Sequence, residues 1–229
     1  MPVVLVHGLG SELETWRPVL ERLRTSRRAI AYDQRGHGQS DRGGEYSIAA
    51  LAGDLARVVD ELDLPRFWLV GHSFSGTVVS AFAAKHPDNV AGVVYVDAVG
   101  DVSRSAPEMK AYFRQHDAGM TPERLQAAYA EMLGPKAKPE TRSAILASAA
   151  RMDLNAFAAL RGDMADFDGL SAARRYGGPR FAIEADGDEN PFRASRLPGT
   201  KRIGIAGVSH WLMLDDPIAT SRALEEVLR

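Results

Sequence analysis

The chain has 229 residues, 45% of them hydrophobic and 25% charged, with a net charge of −2. That is enough material for one substantial core, and the lack of any basic stripe or charge block argues against a nucleic-acid partner. There is no cysteine, which excludes disulfides and thiolate metal sites. No apolar run approaches the roughly 20 residues a membrane span needs. Met1 to Gly8 carries no leader-like segment, so a cytoplasmic protein without membrane partners is the expectation, its oligomeric state open.

Six short apolar runs read as buried strands. They are Val3 to Val6, Ala29 to Tyr32, Phe67 to Val70, Gly92 to Val96, Phe181 to Ala185 and Arg202 to Ala206. They are continuous rather than alternating, as strands covered on both faces are. Helical spacing lies between most of them. Trp16, Val19, Leu20 and Leu23 recur behind a predicted capping box of Ser11 and Glu14. Ile48, Leu51, Leu55, Val58, Val59 and Leu62 recur behind Ser47. A third helix follows Ser73 and stops at His86-Pro87, and Ile218 to Leu228 closes the chain. Strands alternating with helices predict an α/β fold with a doubly wound, mainly parallel sheet.

Residues 103–175 break the rhythm. Helical patterns near Glu108 to His116, Pro122 to Met132, Glu140 to Ala150 and Leu154 to Met164 follow one another with no strand between. They predict a helical cap insertion over one end of the sheet, with 1–102 and 176–229 forming the core.

Ligands of open parallel sheets bind beyond the carboxyl ends of the strands, and here each strand end carries polar groups. The first ends in His7-Gly8-Leu9-Gly10, the second in Asp33 to Ser40, the fourth in Asp97, the fifth in Asp186-Gly187-Asp188 and the sixth in Ser209-His210. The third ends in Gly71-His72-Ser73-Phe74-Ser75-Gly76, between an apolar strand and a helix. That is the layout of a nucleophile elbow, a sharp turn presenting a serine hydroxyl above a helix N-terminus. Ser75 stands where the second glycine is usual. The histidines lack tight ligand spacing, there is no H-E-x-x-H, and no G-x-G-x-x-G follows a strand. Neither a metal nor a cofactor is expected.

Together His7-Gly8, Asp33 to Ser40, the elbow, the Asp188 loop and His210-Trp211 resemble the α/β-hydrolase family, in its single-domain esterase and epoxide-hydrolase-like branch. The resemblance covers nearly the whole chain and is weakest across the helical insertion. The family has two further strands before the His-Gly loop, so the sheet is shorter here or the N-terminus is trimmed.

The resemblance implies Ser73 as nucleophile and His210 as its base, with backbone N–H groups of Leu9 and Phe74 as oxyanion donors. It implies a carboxylate that orients His210, placed at Asp188, with Asp186 next and Asp97 a third option. Asp215 and Asp216 read as negative charge at the N-terminus of the last helix. Trp211, Met213, Tyr112, Phe113, Tyr129 and Phe157 are candidates to line a substrate pocket. The implied activity is hydrolysis of small carboxylic esters or lactones through an acyl-enzyme. The rivals are C–C bond hydrolysis, perhydrolysis or hydroxynitrile lysis by the same triad, and a slow-turnover ligand-binding receptor.

Overall fold

The computed structural model describes residues 1–116, 119–187 and 190–229, apart from the side chains of Gln115 and His116. Six strands form one parallel sheet: β1 (Val3–Val6), β2 (Ala29–Tyr32), β3 (Phe67–His72), β4 (Val90–Val96), β5 (Arg180–Ala185) and β6 (Thr200–Ile205). Their spatial order is β2-β1-β3-β4-β5-β6. All six strand expectations are met, with shifts of one or two residues at some ends. The chain winds outward from β1 to β2, then returns to the other side of β1 with β3. That reversal opens a crevice between the carboxyl ends of β1 and β3.

Alternate strand residues feed two cores. Val3 and Leu5 point into one, with Trp16, Leu23 and Leu224, while Val4 and Val6 point into the other, with Leu55, Val59 and Phe82. This two-sided burial is why β1 and residues 67–70 of β3 are apolar throughout. Helices α1 (Arg17–Arg24) and α10 (Pro217–Val227), the latter preceded by the short α9 (Leu212–Asp215), pair on the first face, and α2 (Ile48–Glu61) and α3 (Ser75–Lys85) on the second. β6 departs from the expectation of full burial. It is an edge strand with Lys201 and Arg202 exposed, and such edge charges discourage pairing with another chain.

Capping follows the sequence in two places and departs from it in a third. Ser47 accepts from the Ala50 N–H at the start of α2, and Asp216 accepts from the Ala219 N–H at the start of α10. At the first helical segment the capping box is formed by Glu12 and Thr15, one residue later than predicted. Ser11 is instead drawn across the fold to accept from the Trp211 indole N–H at 3.2 Å.

The insertion contains α4 (Pro107–His116), α5 (Pro122–Leu133), α6 (Pro139–Ala149) and α7 (Leu154–Asp166), with α4 against α7 and α5 against α6. α8 (Gly169–Tyr176) packs against α3, and its Ala173 and Tyr176 share a core with Val79 and Phe82. It belongs to the layer on the sheet. No helix among the described residues is long and apolar enough to cross a membrane.

Candidate active site

Ser73 is the first residue after β3 and has φ = 54°. A left-handed backbone costs a non-glycine residue roughly 1–2 kcal/mol, and the neighbours hold it there. The Ser73 N–H donates to Val96 O at 3.1 Å, while Ser73 O accepts from the N–H groups of Gly76 and Val99. Gly76 is needed because a Cβ there would sit 2.2 Å from Val99 O. The loop after β1 lies directly on the elbow: a Cβ on Gly8 would be 2.9 Å from the Ser73 Cβ.

Ser75 adds a polar stitch that its small size alone did not foretell. Its hydroxyl donates to His7 O at 2.5 Å and accepts from Gln34 Nε2 at 3.1 Å. The His7 ring is buried beside it, accepts from the Gln34 N–H through Nε2, and donates from Nδ1 to Gly8 O. Burial, only partly opposed by that bond to Gly8, lowers its pKa to about 4. The His7-Gly8-Leu9-Gly10 loop is therefore fixed to the elbow by uncharged groups.

His210 Nε2 lies 2.8 Å from Ser73 Oγ, and His210 Nδ1 lies 2.6 Å from Asp97 Oδ2. Asp97, the third option from sequence, is thus a carboxylate hydrogen-bonded to His210. Asp188 itself lies outside the described residues. With one ring nitrogen on Ser73 and the other on Asp97, both sites of the imidazole are taken. Asp186 turns away to pair with Arg202, Nη2 to Oδ1 at 2.7 Å.

Asp97 reaches His210 because β4 adjoins β3 and because Asp97 also turns with positive φ, 45°. Its Oδ1 accepts from Arg193 Nη1 at 2.6 Å and from the Ala185 N–H at 2.9 Å. Burial by itself would raise its pKa. The hydrogen bond and charge of His210, the Arg193 guanidinium and the Ala185 N–H outweigh that and hold it below the usual carboxylate value.

Sequence reading missed two supports of this loop. Asp215 is buried, not a helix-end charge, and accepts from the N–H groups of Ser209 at 2.7 Å and Lys138 at 3.0 Å. It ties the His210 loop to the start of α6. His72 is buried against the His210 ring, 4.8 Å between centroids, and its Nε2 donates to His210 O at 3.0 Å. Its pKa is lowered to about 3, chiefly by burial and next by the neighbouring His210. A carboxylate near a helix start and a histidine beside the serine were visible in the sequence, but their long-range partners were not.

A cavity of about 550 Å³ opens above Ser73, with Leu9, Phe74, Phe113, Tyr129, Phe157 and Trp211 in its wall. Phe113, Tyr129, Phe157 and Trp211 were expected there, whereas Met213, expected too, is buried outside the wall. Tyr112 was also expected there, but it is 53% exposed and does not line the cavity. One step along α4 rotates a side chain by about 100°, and Phe113 faces inward. Tyr129 does more than line the wall, since its hydroxyl donates to Leu9 O at 2.6 Å. Arg161 brings a cation into the wall, 4.9 Å from the Phe113 ring centroid and 5.4 Å from that of Phe157. No group of three His, Cys, Asp or Glu residues is arranged for a metal among the described residues.

The alpha/beta hydrolase fold family matches residues 1–156. The chain belongs to that family. Over its whole length it is similar to a thermophilic esterase from Thermogutta terrifontis. The TM-score is 0.88 and the identity 26%, covering 100% of this chain and 89% of the other. It shares its fold with the enol-lactonase of Burkholderia xenovorans LB400, at TM-score 0.83 and 23% identity, covering 99% and 90% of the two chains. In sequence it is 41% identical over 104 residues to the 2-hydroxy-6-oxo-2,4-heptadienoate hydrolase of Pseudomonas putida, a stretch covering 43% of this chain and 38% of that enzyme. An uncharacterized Mycobacterium tuberculosis protein is 38% identical over 99 residues, covering 43% of this chain and 29% of its own. The chain thus matches well under half the length of these curated relatives.

Proposed function

We propose that the chain is a serine hydrolase of small carboxylic esters or lactones. One observation carries the reading: the continuous hydrogen-bonded line Ser73 Oγ, His210, Asp97, with Ser73 raised on a strained turn at the floor of a largely apolar cavity. A serine hydroxyl is a weak nucleophile until a base takes its proton. In the proposed reaction His210 Nε2 accepts that proton as Ser73 Oγ bonds to the substrate carbonyl. The N–H groups of Leu9 and Phe74 receive the oxyanion. The tetrahedral intermediate then collapses, His210 returns the proton to the departing alkoxide, and the acyl group stays on Ser73. Water, deprotonated by His210, reverses the sequence and releases the acid. Asp97 keeps Nδ1–H directed at itself, which fixes the tautomer that leaves Nε2 free to accept, and it stabilises the imidazolium.

The Ser73→Ala variant tests this with a short-chain 4-nitrophenyl ester. Its turnover should fall at least about 10³-fold. Wild-type turnover in a folded Ser73→Ala protein sinks the assignment.

A second reading uses the same three residues for C–C bond hydrolysis. Its support is the similarity to the Pseudomonas putida hydrolase, whose dienoate substrate carries a carboxylate, together with the Arg161 cation in the cavity wall. Substantial turnover of a 2-hydroxy-6-oxo-dienoate with negligible turnover of simple esters and lactones would decide for it.

A further inference from the structure

We propose that Arg193 is a positioning residue that sets how strongly Asp97 holds a protonated His210, and therefore the pH at which the site becomes active. The inference rests on the Ser73–His210–Asp97 reading above. An orienting carboxylate needs only its imidazole and a few N–H donors. Here Asp97 also carries an arginine. Arg193 Nη1 lies 2.6 Å from Asp97 Oδ1, and Nη2 lies 3.5 Å from Oδ2, the oxygen that accepts from His210. Both side chains are nearly sealed from water, 7% and 3% exposed, where charges act on each other with little screening.

The arginine is held by its backbone. The segment after Asp97 and the segment around Arg193 run together, with Val99 bridged to Arg193. The Gly100 N–H donates to Phe192 O at 2.8 Å, and the Ala194 N–H to Ala98 O at 2.9 Å. Behind Arg193 stands Glu184, buried at the end of β5. Its Oε2 is 3.7 Å from Arg193 Nη1 and 3.1 Å from Arg202 Nε, and Arg202 in turn reaches Asp186. The charges alternate in sign from Asp97 to Asp186.

The other charged groups around the pair do not substitute for Arg193. His72 faces the His210 ring but is buried and uncharged near neutral pH. Lys136 is spent on Asp186 O at 3.2 Å, and Arg161 lies over the Phe113 and Phe157 rings on the cap side.

The consequence has a definite sign. A cation on Asp97 weakens that carboxylate's attraction for an imidazolium, so proton loss from the pair occurs at lower pH than with Asp97 alone. Removing the cation should move the acidic limb of the kcat/KM profile upward. Removing Glu184, which shares the charge of Arg193, should move it downward.

The test is the kcat/KM–pH profile with 4-nitrophenyl acetate for the wild type and for Arg193→Met, Arg193→Lys and Glu184→Gln. Arg193→Met should shift the acidic limb up by about one pH unit, which reads as a roughly tenfold loss well below the limb and little loss above it. Arg193→Lys should leave the limb in place, and Glu184→Gln should shift it down. A folded Arg193→Met protein with the wild-type limb, or with equal loss at every pH, overturns the proposal. If Arg193→Met does not fold, an unmoved limb in Glu184→Gln, or an upward shift in Arg193→Lys, overturns it instead. Asp97→Asn separates the two layers. Full activity there removes the triad reading, whereas lost activity with unmoved limbs in the other variants removes only the role of Arg193.

Discussion

Ser73 and Asp97 each occupy the first position beyond the register pair His72–Val96, and both turn there with positive φ, 54° and 45°. Two adjacent parallel strands thus deliver a hydroxyl and a carboxylate to opposite nitrogens of one imidazole. Among the described residues, the carboxylate on that imidazole is the one of residue 97. Asp97→Asn should lower kcat for a short ester by about 10⁴-fold, the size of effect expected when the orienting carboxylate is lost and the tautomer is wrong. Asp188→Asn should keep most of the activity. A large loss in Asp188→Asn with a small one in Asp97→Asn would restore the carboxylate expected from sequence.

Tyr129 connects the cap to the proposed oxyanion loop through its bond to Leu9 O. The side chain is buried, and burial raises its pKa further from the physiological range. Tyr129→Phe keeps the ring in the cavity wall and frees the loop. It should lower kcat by roughly tenfold, less than loss of an oxyanion donor outright, with KM little changed. Steady-state kinetics on an ester series checks this, and a change confined to KM would assign Tyr129 to substrate contact alone.

Asp215 anchors the His210 loop and α6 through two backbone N–H groups. Asp215→Ala leaves both donors buried and unsatisfied, a loss of about 2–4 kcal/mol. Asp215→Asn retains one acceptor oxygen and should recover part of it. Chemical denaturation measures both, and stabilities within about 0.5 kcal/mol of wild type would show that the loop is held elsewhere.

Three buried histidines make the fold sensitive to acid. His7 is lowered to about 4, and His37 and His72 to about 3, in each case chiefly by burial. Their folded pKa values lie below the unfolded one of 6.5, so the unfolded chain binds more protons as pH falls. The stability they confer is fully present above about pH 6.5 and is lost progressively towards pH 3–4. Each contributes a slope of about 1.4 kcal/mol per pH unit within its window. Urea midpoints measured between pH 7.5 and 5 should fall steadily, and a flat profile would place charged or exposed histidines at these positions.

The amino-acid sequence by itself determined the six strands, the sharp turn at Ser73, the histidine that follows β6 and the run of helices between β4 and β5. Each is written locally, as an apolar run, a turn between strand and helix, or a helical repeat. Tertiary structure alone brought Asp97 to His210. The two are 113 positions apart, and their meeting is fixed by strand order, by the turn at Asp97 and by the fit of Arg193 behind it. It also decided that Phe113 rather than Tyr112 faces the cavity, because α4 can be phased only against α7. Local pattern sets the elements and their polar tips; the long-range packing that brings those tips within hydrogen-bond reach is a property of the closed fold.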